Sequence, residues 1–200
     1  LPCPYRGLFH FGPDEANFFF GREVFISALT TAVEQRAFIP VLGASGSGKS
    51  SVVLAGLVPR LQQSSHWQFT HFRPGEDPFH ALALALIPLC APNLNTTEQM
   101  VQIRQLAHHL QSGEVTLRNI IATLQQRCPR DRILLIADQF EELYTLVTDD
   151  SIRRQFLDCL LTSLPTNSQC GSPLVLVATL RADFLSNALT YRPFADLLQQ

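Results

Sequence analysis

One eight-residue segment constrains the fold of this chain more than any other feature. Residues 43–50 read Gly-Ala-Ser-Gly-Ser-Gly-Lys-Ser and match the pattern G-x-x-x-x-G-K-[ST]. An apolar run at 38–42 precedes the segment, and an apolar pattern with helical spacing, at 50–63, follows it. Strand, glycine-rich loop and helix therefore occur in the order that a phosphate-binding loop requires, an order that a flexible Gly/Ser linker does not need.

The residue types in this loop fit the chemistry of a nucleotide phosphate. Glycines let backbone N–H groups approach the β-phosphate, and the following helix adds the positive end of its dipole. We expect Lys49 to bind the β- and γ-phosphates and the Ser50 hydroxyl to bind Mg²⁺. The glycine spacing excludes the dinucleotide fingerprint G-x-G-x-x-G. The predicted nucleotide-binding residues of the loop are Gly43, Ala44, Ser45, Gly46, Ser47, Gly48, Lys49, Ser50 and Ser51.

Lys49 is the one lysine of the chain, which has 14 arginines. A compact ammonium on a flexible stem suits a phosphate cradle where a planar guanidinium does not. The amino-acid composition therefore supports the same function as the motif.

The rest of the chain alternates between strand and helix patterns. Apolar runs at 38–42, 133–137 and 174–180 predict strands buried on both faces, and 67–72 is a fourth candidate. The helical patterns lie at 23–36, 50–63, 78–89, 97–111, 117–127 and 151–164. This alternation predicts an α/β fold, a mostly parallel sheet flanked by helices, with a helical insertion between the second and third strands. Pro40 conflicts with a central strand, because it removes a ladder donor.

Acidic residues follow the third predicted strand. Asp138 stands at the carboxyl end of that strand, where ligands bind in parallel sheets, and we expect it to hold Mg²⁺ through water. Glu141 and Glu142 come next, and a first helical turn accounts for one of them because acids complement the helix dipole. The other can activate a water molecule that attacks the γ-phosphate. Spacing favours Glu141 as this catalytic acid, with Glu142 as the alternative.

Arg181 emerges from the end of the fourth predicted strand. An arginine at this position can stabilise charge on a transferring phosphoryl group. A simple ion pair with Asp183 explains it equally well. The residues alone leave both interpretations open.

Composition and charge exclude several classes of protein. The formal net charge of −2 offers no field for nucleic-acid phosphates. The longest apolar run, at 81–91, is too short for a membrane span and contains Pro88. The five scattered cysteines form no CxxC pair and indicate buried thiols in a reducing cytoplasm. Because the chain starts without methionine, we expect a segment of a longer protein.

Four motifs together resemble the novel STAND NTPases, which are signal-transduction ATPases with numerous domains. They are Phe-Phe-Gly-Arg-Glu at 19–23, the loop at 43–50, Asp-Gln-Phe-Glu-Glu at 138–142 and Thr-Leu-Arg at 179–181. Three further motifs strengthen the resemblance: Tyr-Arg-Gly-Leu at 5–8, Phe-Arg-Pro-Gly at 72–75 and Arg-Ala-Asp-Phe at 181–184.

The resemblance implies one P-loop NTPase domain of the ASCE and STAND type over residues 1–200. Its adenine-side segment is expected at 1–37 and its nucleotide-binding core at 38–200, with a fifth strand and a winged-helix lid beyond the C-terminal end. Gly21 and Arg22 match the adenine-side motif, and Arg181 matches the first sensor arginine. The sensor strand of this superfamily lies between the two Walker strands, which brings Thr179 and Arg181 to the γ-phosphate.

The function that the resemblance implies is an ATP-hydrolysing switch, bound to ADP at rest and to ATP in an oligomeric active state. Such domains are typically fused to an effector and to C-terminal repeats, often WD-type propellers. The preference for ATP over GTP rests on the resemblance. Alternative functions are a nucleotide-stabilised scaffold without turnover and a small-molecule kinase, which requires an acceptor pocket. A DNA motor is a weaker alternative, because the chain lacks the basic charge for it.

Overall fold

The computed structural model describes residues 11–64, 66–165 and 171–198, so the Tyr-Arg-Gly-Leu motif at 5–8 lies outside the described residues. The strands are β1 (Phe38–Gly43), β2 (Trp67–Phe72), β3 (Arg132–Ala137) and β4 (Leu174–Arg181). They form one parallel sheet in the order β1-β4-β3-β2. Both boundaries of each strand lie within one residue of those of the apolar run that predicted it. The predicted α/β fold is confirmed.

Helices connect the strands and cover the sheet. They are α1 (Glu23–Gln35), α2 (Lys49–Ser51), α3 (Val58–Gln63), α4 (Pro78–Cys90), α5 (Thr96–Ser112), α6 (Leu117–Arg127), α7 (Glu142–Thr145), α8 (Asp150–Leu161), α9 (Leu185–Leu189) and α10 (Arg192–Leu198). Short 3₁₀ turns lie at Pro13–Phe18 and Ala182–Phe184. Helices α4, α5 and α6 form the predicted insertion between β2 and β3. No helix within the described residues is long and apolar enough to cross a membrane.

The two faces of the sheet bury separate apolar clusters. On one face, Leu134, Ile136 and Val177 pack with residues of α1 and of the helix that follows the phosphate loop. On the other face, Leu135 and Leu176 pack with residues of α4, α5, α6, α8 and α10. Because both faces are covered, β3 and β4 are apolar at nearly every position instead of alternating.

The helix that follows the phosphate loop changes its geometry in the middle. Its three segments, α2, the π-helical Val52–Leu57 and α3, run on without a break. Pro59 is the second residue of α3, two positions after the π segment ends, and in a regular α-helix its ring would clash with the carbonyl group four residues earlier. We attribute the wider π turn to this proline.

Pro40 lies in a strand that has one neighbour among the described residues. The N–H of Leu176 donates to the carbonyl of Ala37, at 2.8 Å. Because backbone groups alternate in direction along a strand, positions 37, 39 and 41 face β4, and Pro40 faces the opposite side. The missing N–H of Pro40 therefore leaves the ladder between β1 and β4 intact.

One predicted helix boundary is wrong. Helix α8 ends at Leu161, before the predicted end at residue 164. The Thr162 hydroxyl donates to the carbonyl of Asp158, at 2.7 Å, and so competes with continued helix formation. Pro165 also disfavours the helical conformation of the residue before it.

The order of the strands brings the predicted site residues to one edge of the sheet. Strand β4 lies between β1 and β3, with Gly43 paired to Arg181 and Ala137 paired to Ala178. The start of the phosphate loop, Arg181 and the residue after Ala137 therefore meet at the carboxyl ends of neighbouring strands. The strand order that the resemblance implied is confirmed.

Candidate nucleotide-binding site

The phosphate loop encloses the ammonium group of its own lysine. Gly46 and Gly48 have positive φ angles of 71° and 84°, which side chains disfavour. Gly48 is the N-cap of α2. Lys49 Nζ donates to the carbonyl oxygens of Gly43, at 3.0 Å, and Ala44, at 2.8 Å. Neutral acceptors that a phosphate group can replace thus hold the ammonium inside the loop.

The acid at the end of β3 is buried and held by three side chains. Asp138 is 1% exposed. Its Oδ1 accepts hydrogen bonds from the hydroxyls of Ser50, at 2.6 Å, and Thr179, at 2.8 Å. Its Oδ2 accepts from Arg73 Nε, at 3.2 Å. The phosphate-loop helix and the ends of β2, β3 and β4 therefore converge on one carboxylate.

Thr179 fixes the path of the chain after Asp138. Its hydroxyl accepts a hydrogen bond from the N–H of Gln139, at 2.9 Å, while it donates to Asp138. Its carbonyl accepts from the N–H of Phe140, at 2.8 Å. Gln139 has a left-handed φ of 54°, which is costly for a residue other than glycine. The bonds to Thr179 stabilise this conformation and hold the acidic segment, residues 138–142, against β4.

Glu141 and Glu142 contact opposite neighbours of β3. The Glu141 carboxylate accepts from the backbone N–H of Arg181, at the end of β4, at 3.2 Å. The Glu142 carboxylate accepts from the N–H of Gly75, in the turn after β2, at 3.0 Å. Strand β4 lies on the side of β3 toward β1, and β2 lies on the other side. Glu141 therefore extends toward the phosphate-loop side, and Glu142 extends away from it.

The Arg181 side chain forms a bidentate ion pair. Its Nε and Nη2 donate to the two carboxylate oxygens of Asp183, at 3.1 and 2.6 Å. Its guanidinium carbon lies 5.2 Å from the centre of the Phe184 ring. The hydrogen bonds from Arg181 lower the pKa of Asp183, and the positive charge of Lys49 lowers it further. One exposed carboxylate thus lies in the field of both cations expected to bind phosphate.

Arg22 lies beside the phosphate loop. Together with Phe25, Leu42 and Lys49 it lines a cavity of about 180 Å³. Gly21, with a φ of 83°, forms the turn that precedes α1. The adenine-side role of Gly21 and Arg22 stays a prediction, which the position of Arg22 supports.

The serines of the loop face different surroundings. Ser45 and Ser47 are exposed, and Ser47 also lines the cavity beside Arg22. Ser51 is buried, and its hydroxyl accepts from the N–H of Phe11, at 3.1 Å. Ser50 is thus the loop serine whose hydroxyl reaches the acid of β3.

The comparison with protein families decides what kind of domain this is. The chain matches Novel STAND NTPase 1 over residues 4–200. The chain belongs to this family. The family that the motifs resemble is confirmed, and the domain is a nucleotide-binding P-loop NTPase. No curated protein was found that matches the chain.

One solved structure, a Walker-type ATPase, shows the same fold as this novel STAND NTPase. The Walker-type ATPase PABY2304 of Pyrococcus abyssi is similar with a TM-score of 0.50 and 14% identity, over 85% of this chain and 47% of that chain. A chain from the structure of the E. coli MS115-1 HORMA:CdnC:Trip13 complex gives a TM-score of 0.39 and 12% identity, over 78% and 45%. The NTPase domain thus spans about half the length of the P. abyssi ATPase.

The residues of this NTPase fit Mg²⁺. Ser50 and Asp138 place two hard oxygen groups 2.6 Å apart, the types that this cation prefers. Among the described residues, no group of three or more His, Cys, Asp or Glu side chains is arranged to hold a metal. A site with few protein ligands suits Mg²⁺, which keeps several waters and binds substrate phosphates.

The sequence did not predict the hydrogen bonds between the turn after β2 and the acidic segment. Arg73 and Gly75 belong to the Phe-Arg-Pro-Gly motif, which carried the resemblance but received no role. Their contacts to Asp138 and Glu142 depend on β2 lying beside β3. The available signal was an arginine directly after a strand, the same pattern that identified Arg181.

Proposed function

We propose that this domain binds ATP and hydrolyses it with Mg²⁺, as the regulatory switch of a multidomain signalling protein. One observation carries the proposal. The Ser50 hydroxyl and the buried Asp138 carboxylate come from positions 88 residues apart and lie 2.6 Å from each other. A hydroxyl from the phosphate loop and an acid from a neighbouring strand are the pair that holds Mg²⁺ in P-loop enzymes.

The roles of the other residues follow from their contacts. Lys49 exchanges its two carbonyl acceptors for phosphate oxygens, which bind an ammonium more strongly because they are charged. Thr179 donates to Asp138 and thereby fixes the orientation of this carboxylate. Mg²⁺, when bound, neutralises negative charge on the phosphates.

The direction of Glu141 supports it as the catalytic acid. Its carboxylate lies at the end of β4, the strand next to β1, from which the phosphate loop extends. A carboxylate on this side can accept a proton from the attacking water. Glu142 holds the turn after β2 through Gly75 and serves a structural purpose.

Two isosteric variants test this assignment. Glu141→Gln removes the base and keeps the side-chain shape, so we expect ATP hydrolysis to fall on the order of 100-fold while ATP binding is retained. Glu142→Gln keeps an oxygen that accepts from Gly75, so hydrolysis should change little. The measurement is phosphate release by both variants under identical conditions. Equal losses in the two variants would contradict the assignment.

The nucleotide retained after purification tests the switch itself. We expect denatured wild-type protein to release ADP and Glu141→Gln to release ATP, both identified by chromatography. A folded protein that carries no nucleotide and fails to bind added ATP would overturn the proposal. In the same experiment, GTP added in competition with ATP measures the preference for adenine.

The wider architecture is a proposal that rests on the family and its numerous domains. We propose a fused effector, a C-terminal repeat region such as a WD-type propeller, and self-association in the ATP-bound state. A cytoplasmic location is supported by Cys90, Cys128 and Cys159, which form no disulfide bonds among the described residues. Burial raises the pKa of Cys159 to about 11, so this thiol resists oxidation.

Two other functions receive less support. A scaffold without turnover predicts that Glu141→Gln is silent in the phosphate-release assay. A small-molecule kinase needs an acceptor pocket beside the phosphate loop. The larger described cavity, of about 580 Å³, is lined by Thr116, Leu161, Pro193 and neighbouring residues, and no residue of the loop borders it.

A further inference from the structure

The turn after β2 is attached to the acidic segment at three points. The carbonyl of Phe72 accepts from the N–H of Asp138, at 2.9 Å. Arg73 Nε donates to Asp138 Oδ2, at 3.2 Å, and the N–H of Gly75 donates to Glu142, at 3.0 Å. Two of these contacts align the backbone, whereas the contact of Arg73 brings a positive charge to the acid.

The positive charge of Arg73 compensates the negative charge of the buried Asp138 carboxylate. A buried carboxylate is costly unless a cation or several hydrogen bonds compensate it. The Arg73 side chain is 41% exposed and the Asp138 side chain is 1% exposed, so the arginine bridges solvent and the buried acid. Within the described part of the chain, it is the cationic side chain paired with Asp138.

The two oxygens of Asp138 are used differently. Oδ1 accepts from the Ser50 and Thr179 hydroxyls, whereas Oδ2 accepts from Arg73. A metal-bound water that hydrogen-bonds to Asp138 needs one of these oxygens. Among the described residues, Oδ2 has a single donor, Arg73, whose guanidinium lies against it.

We propose that Arg73 is a positioning residue that competes with Mg²⁺ for Asp138. Arg73 holds the carboxylate in a fixed orientation when the metal is absent, and it releases Oδ2 when the metal binds. Its partly exposed side chain has solvent to move into. This inference rests on the proposed function in one respect, that Asp138 is the acid which binds Mg²⁺.

The test is a titration of Mg²⁺ at constant ATP, with nucleotide binding measured by calorimetry. Arg73→Gln removes the competing charge, so half-maximal binding should require about fivefold less Mg²⁺ than in the wild type. A merely structural role of Arg73 predicts the opposite direction, because a damaged site binds metal more weakly. Arg73→Lys keeps the charge without the planar donor group, and its requirement should stay near that of the wild type.

Arg154→Gln is the matched control. Arg154 also pairs with an aspartate, Asp150, at 2.8 Å, but it lies on the exposed face of α8. This variant should leave the Mg²⁺ requirement unchanged. A second readout is the unfolding temperature in EDTA, which should fall in Arg73→Gln and not in Arg154→Gln.

Two results would overturn the inference or its foundation. Competition between Arg73 and the metal is wrong if Arg73→Gln requires the same amount of Mg²⁺ as the wild type, or clearly more. It is also wrong if the folded Arg73→Lys variant requires clearly more Mg²⁺ than the wild type. If the wild type binds ATP without any dependence on Mg²⁺, the assignment of Asp138 fails, and the proposed function fails with it.

Discussion

Lys49 of the phosphate loop makes its hydrogen bonds within the loop, whereas the acid of β3 is held by residues from across the chain. Lys49 bonds to carbonyl oxygens five and six positions away. Asp138 bonds to Thr179, Arg73 and Ser50, which lie 41, 65 and 88 positions away. The loop is mostly exposed, and the acid is buried.

This difference indicates that the two regions contribute differently to stability and to ligand binding. A loop residue with local contacts, such as Lys49, can be replaced without loss of the fold, so its replacement reports on ligand binding alone. A buried acid with distant partners contributes both to the fold and to the site.

Lys49→Ala should have the largest effect on function. Because its two hydrogen bonds go to partly exposed loop carbonyls, we expect an unchanged unfolding temperature, and ATP affinity should fall on the order of 100-fold. Calorimetric titration with ATP and thermal unfolding measure the two quantities. A clear loss of stability in this variant would break the contrast between the two regions.

Asp138→Asn should affect stability as well as binding. The amide cannot accept from both hydroxyls and also pair with Arg73, so we expect the free energy of unfolding to fall by about 2 kcal/mol. Urea unfolding without nucleotide measures this loss. A free energy of unfolding equal to that of Lys49→Ala would show that the hydrogen bonds of the buried acid contribute nothing to stability.

Ser50→Ala and its neighbour Ser51→Ala separate metal binding from packing. Ser50 reaches Asp138, so its loss should raise the Mg²⁺ requirement for ATP binding roughly tenfold. Ser51 bonds to the backbone of Phe11, so its loss should leave that requirement unchanged. Ser50→Thr, which keeps the hydroxyl, is expected to restore binding. The reverse order for the two alanine variants would exclude Ser50 as the metal ligand.

Asp183→Asn should have the smallest effect. It removes a negative charge that lies near Arg181 and Lys49, so ATP should bind about twofold to threefold more tightly relative to ADP. The gain should vanish when Arg181 is also replaced by Gln. Asp150→Asn, at another exposed ion pair, is the control. A preference that does not change would show that Asp183 does not compete with phosphate.

The same contrast explains which features the sequence could predict. The loop, with its local contacts, was predicted by its motif, and the buried strands β3 and β4 were predicted by continuous apolar runs. Asp138 was predicted as a site residue because a strand end is a fixed place in a parallel sheet. The contact of Arg73 with Asp138 could not be predicted in this way, because it depends on the pairing of β2 with β3, and no local sequence pattern indicates which strands pair.

The choice between Glu141 and Glu142 shows the same limit. The two residues are neighbours and chemically identical, so spacing alone could only rank them. The strand order gives each a different partner, the N–H of Arg181 for Glu141 and the N–H of Gly75 for Glu142. The π turn before Pro59 was also missed, because helical periodicity over 50–63 does not distinguish π from α geometry.

The outward position of Pro40 has a consequence for contacts between copies of the chain. A strand edge normally offers a row of donors and acceptors to which another strand can add, and this is a common route to aggregation. Among the described residues, β1 is an edge strand, and the middle of its outward side carries a carbonyl and no N–H. A second chain that approached this edge would lose a hydrogen bond at the centre of the new ladder, so the proline disfavours growth of the sheet from one molecule to the next.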